Sequence, residues 1–320
     1  MGVATSRSGG TLKTLVLGCM SSGKSTFMKQ MIALDRKEIT QKRELYVYCL
    51  QLNLLRIFIE LRNVCLACDV DIKAYEEHFQ ELDKYKHREA IPDRVRNSII
   101  ALKDAGLVEV CKKKQRILAL PFNYNSILQR TTDILSPDYI PTDSDILYSY
   151  AETVGLNVET ICVNSFNFEL IEIPGHHIWR KRWEEYYAGT SLVVFIVDLS
   201  ELCDLALYKG HLENKTLSVF TELAANPLLA KVSWMVLFNK NDTFNEHAAS
   251  FDFKKYDNYA TTSEEARVVY RRRFMEILPK DNSSYWHLVS LTNNEIRNII
   301  HKVFSSIGKA HIERERQQQM

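Results

Sequence analysis

An apolar run, Leu12–Leu17, passes directly into Gly18-Cys19-Met20-Ser21-Ser22-Gly23-Lys24-Ser25-Thr26, which fits G-x-x-x-x-G-K-[ST]. No other stretch restricts the fold as strongly. A strand must deliver a tight turn poor in side chains, so that backbone N–H groups can curl around phosphates, and a helix must begin at once. Lys24 then reaches the β- and γ-phosphates as a point charge, and the Ser25 hydroxyl ligates Mg²⁺. The positive end of the helix faces the same anion. Phe27–Ile32 carries the amphipathic pattern such a helix needs, and Gly18, Ser21, Ser22, Gly23, Lys24, Ser25 and Thr26 become nucleotide-binding candidates. The motif calls for a nucleoside triphosphate without saying which.

Short runs rich in β-branched residues recur downstream. Thr160–Val163, Phe166–Ile173, Leu192–Val197, Trp234–Phe238 and Trp286–Leu291 are predicted strands. Asn164-Ser165 between the first two reads as a hairpin turn. Helical patterns lie between the later strands, at Trp179–Tyr187, Leu212–Leu223 and Glu264–Ile277. From about Glu295 a last helix sets Ile296, Ile299, Ile300, Val303, Phe304 and Ile307 on one face. This alternation predicts an α/β fold with a six-stranded, mostly parallel sheet and helices on both faces.

Residues 37–145 break the rhythm. Leu45–Leu61 is apolar almost all round and too long for a strand, so it reads as a central buried helix. Further helical patterns follow, and Pro121, Pro137 and Pro141 punctuate the end. The expected organisation is a flexible N-terminus at 1–10, a nucleotide-binding domain at 11–36 and 146–312, an all-helical insertion at 37–145, and a fraying polar tail at 313–320. A chain of 320 residues has room for two domains.

Composition removes several function classes. Lys and Arg total 41 against 40 Asp and Glu, so no cationic excess exists to release counterions from a nucleic acid. The longest apolar run is about six residues, Leu192–Val197, against the roughly 20 that cross a bilayer. Met1–Ser6 lacks the apolar core of a secretory signal, and the seven scattered cysteines read as reduced cytoplasmic thiols. Cys65 and Cys68 form a C-x-x-C inside an apolar helical stretch, where they read as small core residues.

Asn239-Lys240-Asn241-Asp242 follows the strand Trp234–Phe238. An N-K-x-D in that position carries a base-reading mechanism. The Asp242 carboxylate accepts two hydrogen bonds from guanine N1–H and the 2-amino group, whereas adenine offers no such pair. Facing adenine, the carboxylate would be desolvated and unpaired, at a cost of roughly 1–3 kcal/mol or more. Lys240 would lie along the base and Asn239 would brace neighbouring loops. Val289-Ser290-Leu291, ending the last strand, is placed for the Ser290 N–H to meet guanine O6. GTP and GDP are the implied ligands.

With these elements in place, the chain resembles a heterotrimeric G protein alpha subunit from about residue 11 to 310. The resemblance is carried by Gly18–Met31, the helical insertion, Pro137–Gly155, Ile171–Trp183 and the N-K-x-D. It implies a Ras-like P-loop domain with an inserted all-helical domain as lid, and switches that reorder on hydrolysis. Position by position, it makes Thr153 the second protein ligand of Mg²⁺ and gives the Gly175 N–H to the γ-phosphate. It brings Leu147 close to the nucleotide, and makes Arg180, Lys181, Arg182 and Trp183 the second switch helix.

Four departures from that family pattern fall on the chemistry. Tyr150 stands where the first-switch arginine would be, and His176 replaces the glutamine that orients water. Met20 replaces a glycine near the γ-phosphate, and Glu172 replaces the aspartate that steadies Mg²⁺ through water, with Pro174 stiffening the switch beside Gly175. An arginine finger contributes about 10³–10⁵ in rate, on the order of 4–7 kcal/mol of barrier. Tyr150 carries no charge to replace it. The expectation is therefore a guanine-nucleotide switch with slow GTP hydrolysis, Tyr150 and His176 occupying the catalytic positions. A non-hydrolysing interaction module is the alternative, and an ATP-using P-loop kinase is disfavoured by Asp242.

The ends bear on partners. Gly2 with Ser6 matches the N-myristoylation pattern, and one myristate gives only marginal anchoring. A cytoplasmic protein with peripheral contact at the inner face of the plasma membrane is expected. Only about ten residues precede the first strand, which argues against docking of a βγ dimer. The charged end, Glu313–Gln319, weakens the expectation of coupling to a G protein-coupled receptor, and an effector is implied by the resemblance alone.

Overall fold

In the computed structural model, residues 10–35, 43–85, 91–113, 123–151, 155–203, 215–249, 251–255, 260–279 and 282–318 are described. Strand β1 (Leu12–Leu17) leads through the glycine-rich turn into α1 (Lys24–Asp35). Helices α2 (Arg43–Ala67), α3 (Glu76–Lys84), α4 (Asp93–Asp104), α5 (Leu107–Lys113), α6 (Tyr124–Gln129), α7 (Thr131–Ile134) and α8 (Asp143–Tyr148) follow. Next come β2 (Asn157–Val163), β3 (Phe166–Glu172), α9 (His177–Arg180), β4 (Leu192–Asp198) and α10 (Lys215–Ala224). The chain closes with β5 (Ser233–Asn239), α11 (Asn241–Ala248), α12 (Ser263–Ile277), β6 (Ser284–Leu288) and α13 (Ile296–Gln318). It divides into two compact units, residues 1–37 with 153–320, and residues 38–152.

The first unit is built on one sheet of order β2-β3-β1-β4-β5-β6, in which β2–β3 is antiparallel and every other pair parallel. The hairpin turn falls at Asn164 and Ser165, both at positive φ (48° and 69°), the left-handed pair that matches strand twist. Strands β4 and β5 are buried at every residue, as interior parallel strands covered on both faces must be. Their side chains alternate between two cores. Leu15, Phe195, Val197, Trp234, Val236 and Phe238 face Phe220 of α10 and Phe274 of α12. Val16, Val194, Ile196, Met235 and Leu237 face Phe27 and Met31 of α1 and Ile300, Val303 and Phe304 of α13.

The second unit has its own core around α2, whose Leu50, Leu54, Leu55, Ile57, Phe58 and Leu61 are all fully buried. Cys65 and Cys68 are buried in that same core, with Cys65 Sγ 3.5 Å from Cys111 Sγ. A helix apolar all round is stable only when surrounded, and α3 to α7 contribute to that surround.

Three expectations are corrected. The helix read at Trp179–Tyr187 is two short pieces, α9 and a 3₁₀ turn at Trp183–Tyr186, so Lys181 and Arg182 lie between them. Burial of the Trp183 ring, with its indole N–H donating to Pro174 O at 3.2 Å, pulls the chain out of one continuous helix. The last strand stops at Leu288, not Leu291. Its ladder ends when Leu291 N donates to the Asn239 side chain (2.9 Å) instead of a neighbouring strand. The polar stretch read as a fraying tail continues α13 to Gln318, because Glu, Arg and Gln are all good helix formers and nothing interrupts them. Among the described residues, no helix is long and apolar enough to cross a membrane.

Candidate nucleotide-binding site

The site lies where β1, β3, β4 and β5 deliver their C-terminal ends, the edge at which parallel sheets bind ligands. Gly18 leaves β1 at φ 149°, and a Cβ there would sit 2.4 Å from Ile196 O, so only glycine permits the turn against β4. Ser21 adopts a left-handed conformation (φ 62°), Gly23 completes the turn, and α1 begins at Lys24 with Thr26 buried in its first turn. The Ser22 hydroxyl is buried and has no hydrogen-bond partner among the described residues. A buried polar group left unpaired in a loop of this kind fits a ligand that supplies the missing partner.

Lys24 is buried, and its ammonium donates to Gly18 O (3.1 Å) and Cys19 O (2.8 Å). Burial pulls its pKa down to about 8, with the Glu172 carboxylate opposing the shift. Ser25 Oγ donates to Glu172 Oε1 at 2.6 Å, and Asn157 Nδ2 holds Glu172 Oε2 at 3.2 Å. Glu172, at the end of β3, is almost wholly buried. Gly175 is pressed against the loop, since a Cβ at that residue would lie 2.4 Å from Gly18 O and 2.6 Å from Lys24 Nζ. His176 Nδ1 accepts from Ile178 N at 3.5 Å as the N-cap of α9, and its ring lies 4.3 Å from that of His177.

On the β5 side, Asn239 is a tie between loops. Its Nδ2 donates to Ser22 O at 2.8 Å and its Oδ1 accepts from Leu291 N at 2.9 Å. Lys240 turns left-handed (φ 61°) and its ammonium bonds Asp198 Oδ2 at 2.5 Å. Asp242 is exposed, and Ser290 Oγ donates to Asp242 Oδ1 at 3.0 Å while accepting from Asp242 N at 3.1 Å. One unit thus gathers Gly18–Thr26, Glu172, Gly175, His176, Asn239, Lys240, Asp242 and Ser290.

Leu147 and Tyr150 belong to the helical unit. Leu147 is buried in α8. Tyr150 is clamped by Asn53 of α2, which accepts from Tyr150 N (2.7 Å) and donates to Tyr150 O (2.6 Å). The Arg56 guanidinium lies 5.2 Å from the Tyr150 ring centre. Gly2 and Thr153 lie outside the described residues.

Two residues escaped the sequence reading. Asp198 fixes Lys240, and Asn157 orients Glu172. Asp198 had a signal, an acid ending a run of six buried strand residues at the edge where ligands bind. Asn157 had none, because its role arises only from β2–β3 pairing, in which it sits opposite Glu172.

A phosphate loop between β1 and α1, the Asn239–Asp242 segment joining β5 to α11, and a helical unit inserted after α1 define a Ras-like P-loop fold with an all-helical insert. The sequence pattern of the G-protein alpha subunit matches residues 3–307, and the chain belongs to that family. It is 28% identical over 257 residues to a guanine nucleotide-binding protein subunit alpha of Sporothrix schenckii, covering 77% of this chain and 72% of that one. The G-protein complex alpha subunit gpaA of Aspergillus fumigatus and the guanine nucleotide-binding protein alpha-1 subunit of Neurospora crassa match the same shares at 27% identity.

Proposed function

We infer that this chain is a guanine-nucleotide switch that binds GDP and GTP and hydrolyses GTP slowly. The observation that carries the reading is the linkage of Asp242 and Ser290 to the phosphate loop through Asn239, which joins a base-reading acid to a polyphosphate cradle in one unit. The Ser25 hydroxyl is a hard oxygen ligand of the type Mg²⁺ selects, with Thr153 as the second protein ligand by resemblance, and the Glu172 carboxylate beside Ser25 would steady such an ion through water. When bound, that ion neutralises charge between the β- and γ-phosphates.

Slow hydrolysis follows from the residues at the catalytic positions. Tyr150 offers no cation, and His176 is engaged as a helix cap. Coupling to a receptor or effector, and a lipid at Gly2, belong to the same reading by resemblance. The alternative is an interaction module in which a bound nucleotide only supports the fold, and the His176 and Tyr150 substitutions favour it equally.

Calorimetry with GDP, GTP and ADP tests base choice. GDP binding with ADP excluded is expected, and Asp242→Asn should cost guanine selectivity of roughly 1–3 kcal/mol. Single-turnover GTP hydrolysis at ordinary alpha-subunit rates would remove the slow-switch reading. Nucleotide exchange with a fluorescent GTP analogue separates a switch from a module, which would not exchange.

A further inference from the structure

We propose that the chain carries a second anion site, for a phosphate group or phosphate monoester, at the edge of the sheet opposite the phosphate loop. There β4 and β5 begin, and a cavity of about 170 Å³ lies between their first residues and the later turns of α13. That is the liquid volume of about five waters, enough for a phosphate and the first carbons of an ester. Ser233 opens β5 and is 4% exposed. Along the strand, Met235 and Leu237 pack with α13 and Trp234 packs on the other face, so the two-residue period turns Ser233 toward α13 as well. Its hydroxyl has no hydrogen-bond partner among the described residues. A serine so buried, lining a cavity with an unspent donor, fits a ligand that supplies the partner from within that cavity.

The chemistry around Ser233 selects a negative ligand. Lys231 lines the cavity, and its ammonium makes no ion pair among the described residues. Ser191, just ahead of β4, brings a second hydroxyl without a hydrogen-bond partner among the described residues, and α13 brings the His311 imidazole. The Thr190 hydroxyl is already committed to Tyr186 O at 3.3 Å. Among the described residues, no carboxylate lines the cavity. The two serines are fixed by the sheet, since Ser191 N donates to Lys13 O at 2.9 Å and Ser233 N to Ser191 O at 3.1 Å. A cation would be repelled by Lys231, and an apolar group would leave both hydroxyls unpaired. An oxyanion satisfies two hydroxyls and an ammonium together. Phosphate, whose oxygens point tetrahedrally, reaches donors on separate elements better than a planar carboxylate does. Leu12 and Ile307, both buried, form the apolar wall against which ester carbon would lie.

The full chain, labelled with nitrogen-15, is titrated with inorganic phosphate at constant ionic strength. Amide resonances of Ser191, Ser233 and Ala310 report this cavity, and those of Gly18, Gly23 and Lys24 report the phosphate loop, so the two sites are read separately. Saturable shifts at the cavity amides are expected. Ser233→Ala removes a hydrogen bond to a charged group and should weaken them about tenfold. Lys231→Met should weaken them at least about threefold, and both variants should leave the loop response within about twofold, which controls for folding. Vesicles of phosphatidylcholine, with and without phosphatidylinositol 4-phosphate, then separate the sources. Sedimentation of the unaltered chain, but not of Ser233→Ala, with the phosphoinositide vesicles upholds the site and assigns a lipid headgroup. Cavity shifts without sedimentation uphold it and assign free phosphate. Shifts confined to the phosphate loop overturn the proposal, as do cavity shifts that Ser233→Ala leaves undiminished.

Discussion

Asn239→Ala is the substitution whose cost the structure fixes best. The side chain is 4% exposed and makes two buried bonds, one to the phosphate loop at Ser22 O and one from Leu291 N after β6. Alanine removes both partners and leaves a carbonyl and an amide buried in the wall of the site. Each abandoned group costs about 1–3 kcal/mol when water cannot reach it, so the total for the two is about 2–6 kcal/mol. For a unit of about 200 residues this is a fall of about 4–24 °C in Tm. All four tryptophans (179, 183, 234 and 286) belong to the sheet unit, so urea unfolding followed by their emission reads that unit alone. Asn239→Asp keeps the acceptor for Leu291 N but turns a carboxylate oxygen toward Ser22 O, beneath a loop that binds anions. It should be at least as damaging, and should weaken nucleotide binding further. A midpoint for Asn239→Ala within about 0.5 kcal/mol of the unaltered chain would refute the claim that this residue ties the two loops.

Burial holds His247 and His287 below the ordinary imidazole range, with Glu246 and Asp198 opposing the shift at His247 and Arg271 adding to it at His287. The unfolded chain then takes up these protons more readily than the folded one, so stability should fall as pH drops below about 6.5. Urea unfolding at a series of pH values should show that slope flattened in a His247→Gln/His287→Gln variant, and an NMR titration placing both rings at or above 6.5 would contradict it. Thr262→Ala should cost about 1 kcal/mol, because the Thr262 hydroxyl accepts from Glu265 N (3.2 Å) and the Glu265 carboxylate accepts from Thr262 N (3.1 Å) at the start of α12. Chemical denaturation giving no loss there would mean that the cap is redundant.

What could be read in advance was local. The run Leu12–Leu17 and the loop after it needed no distant partner to declare themselves, and the same holds for the Asn164-Ser165 turn, where Asn164 is a residue type that tolerates positive φ. Six strands and the interrupting helical segment were legible for the same reason: each carries its own periodicity. The misreadings occurred where a distant side chain decides. Leu291 reads as strand until Asn239 takes its N–H. Residues 179–187 read as one helix until Trp183 is drawn into a core shared with β4. The partnership of Lys240 with Asp198 depends on β4 and β5 being neighbours, which periodicity cannot report.

The three hydrophobic cores share no side chain, and the one around α2 contains no tryptophan. Heat absorbed when that bundle loosens would therefore pass unseen in any indole emission trace. A scanning calorimeter, which registers every core, should record an endotherm without an optical counterpart if the insert melts by itself.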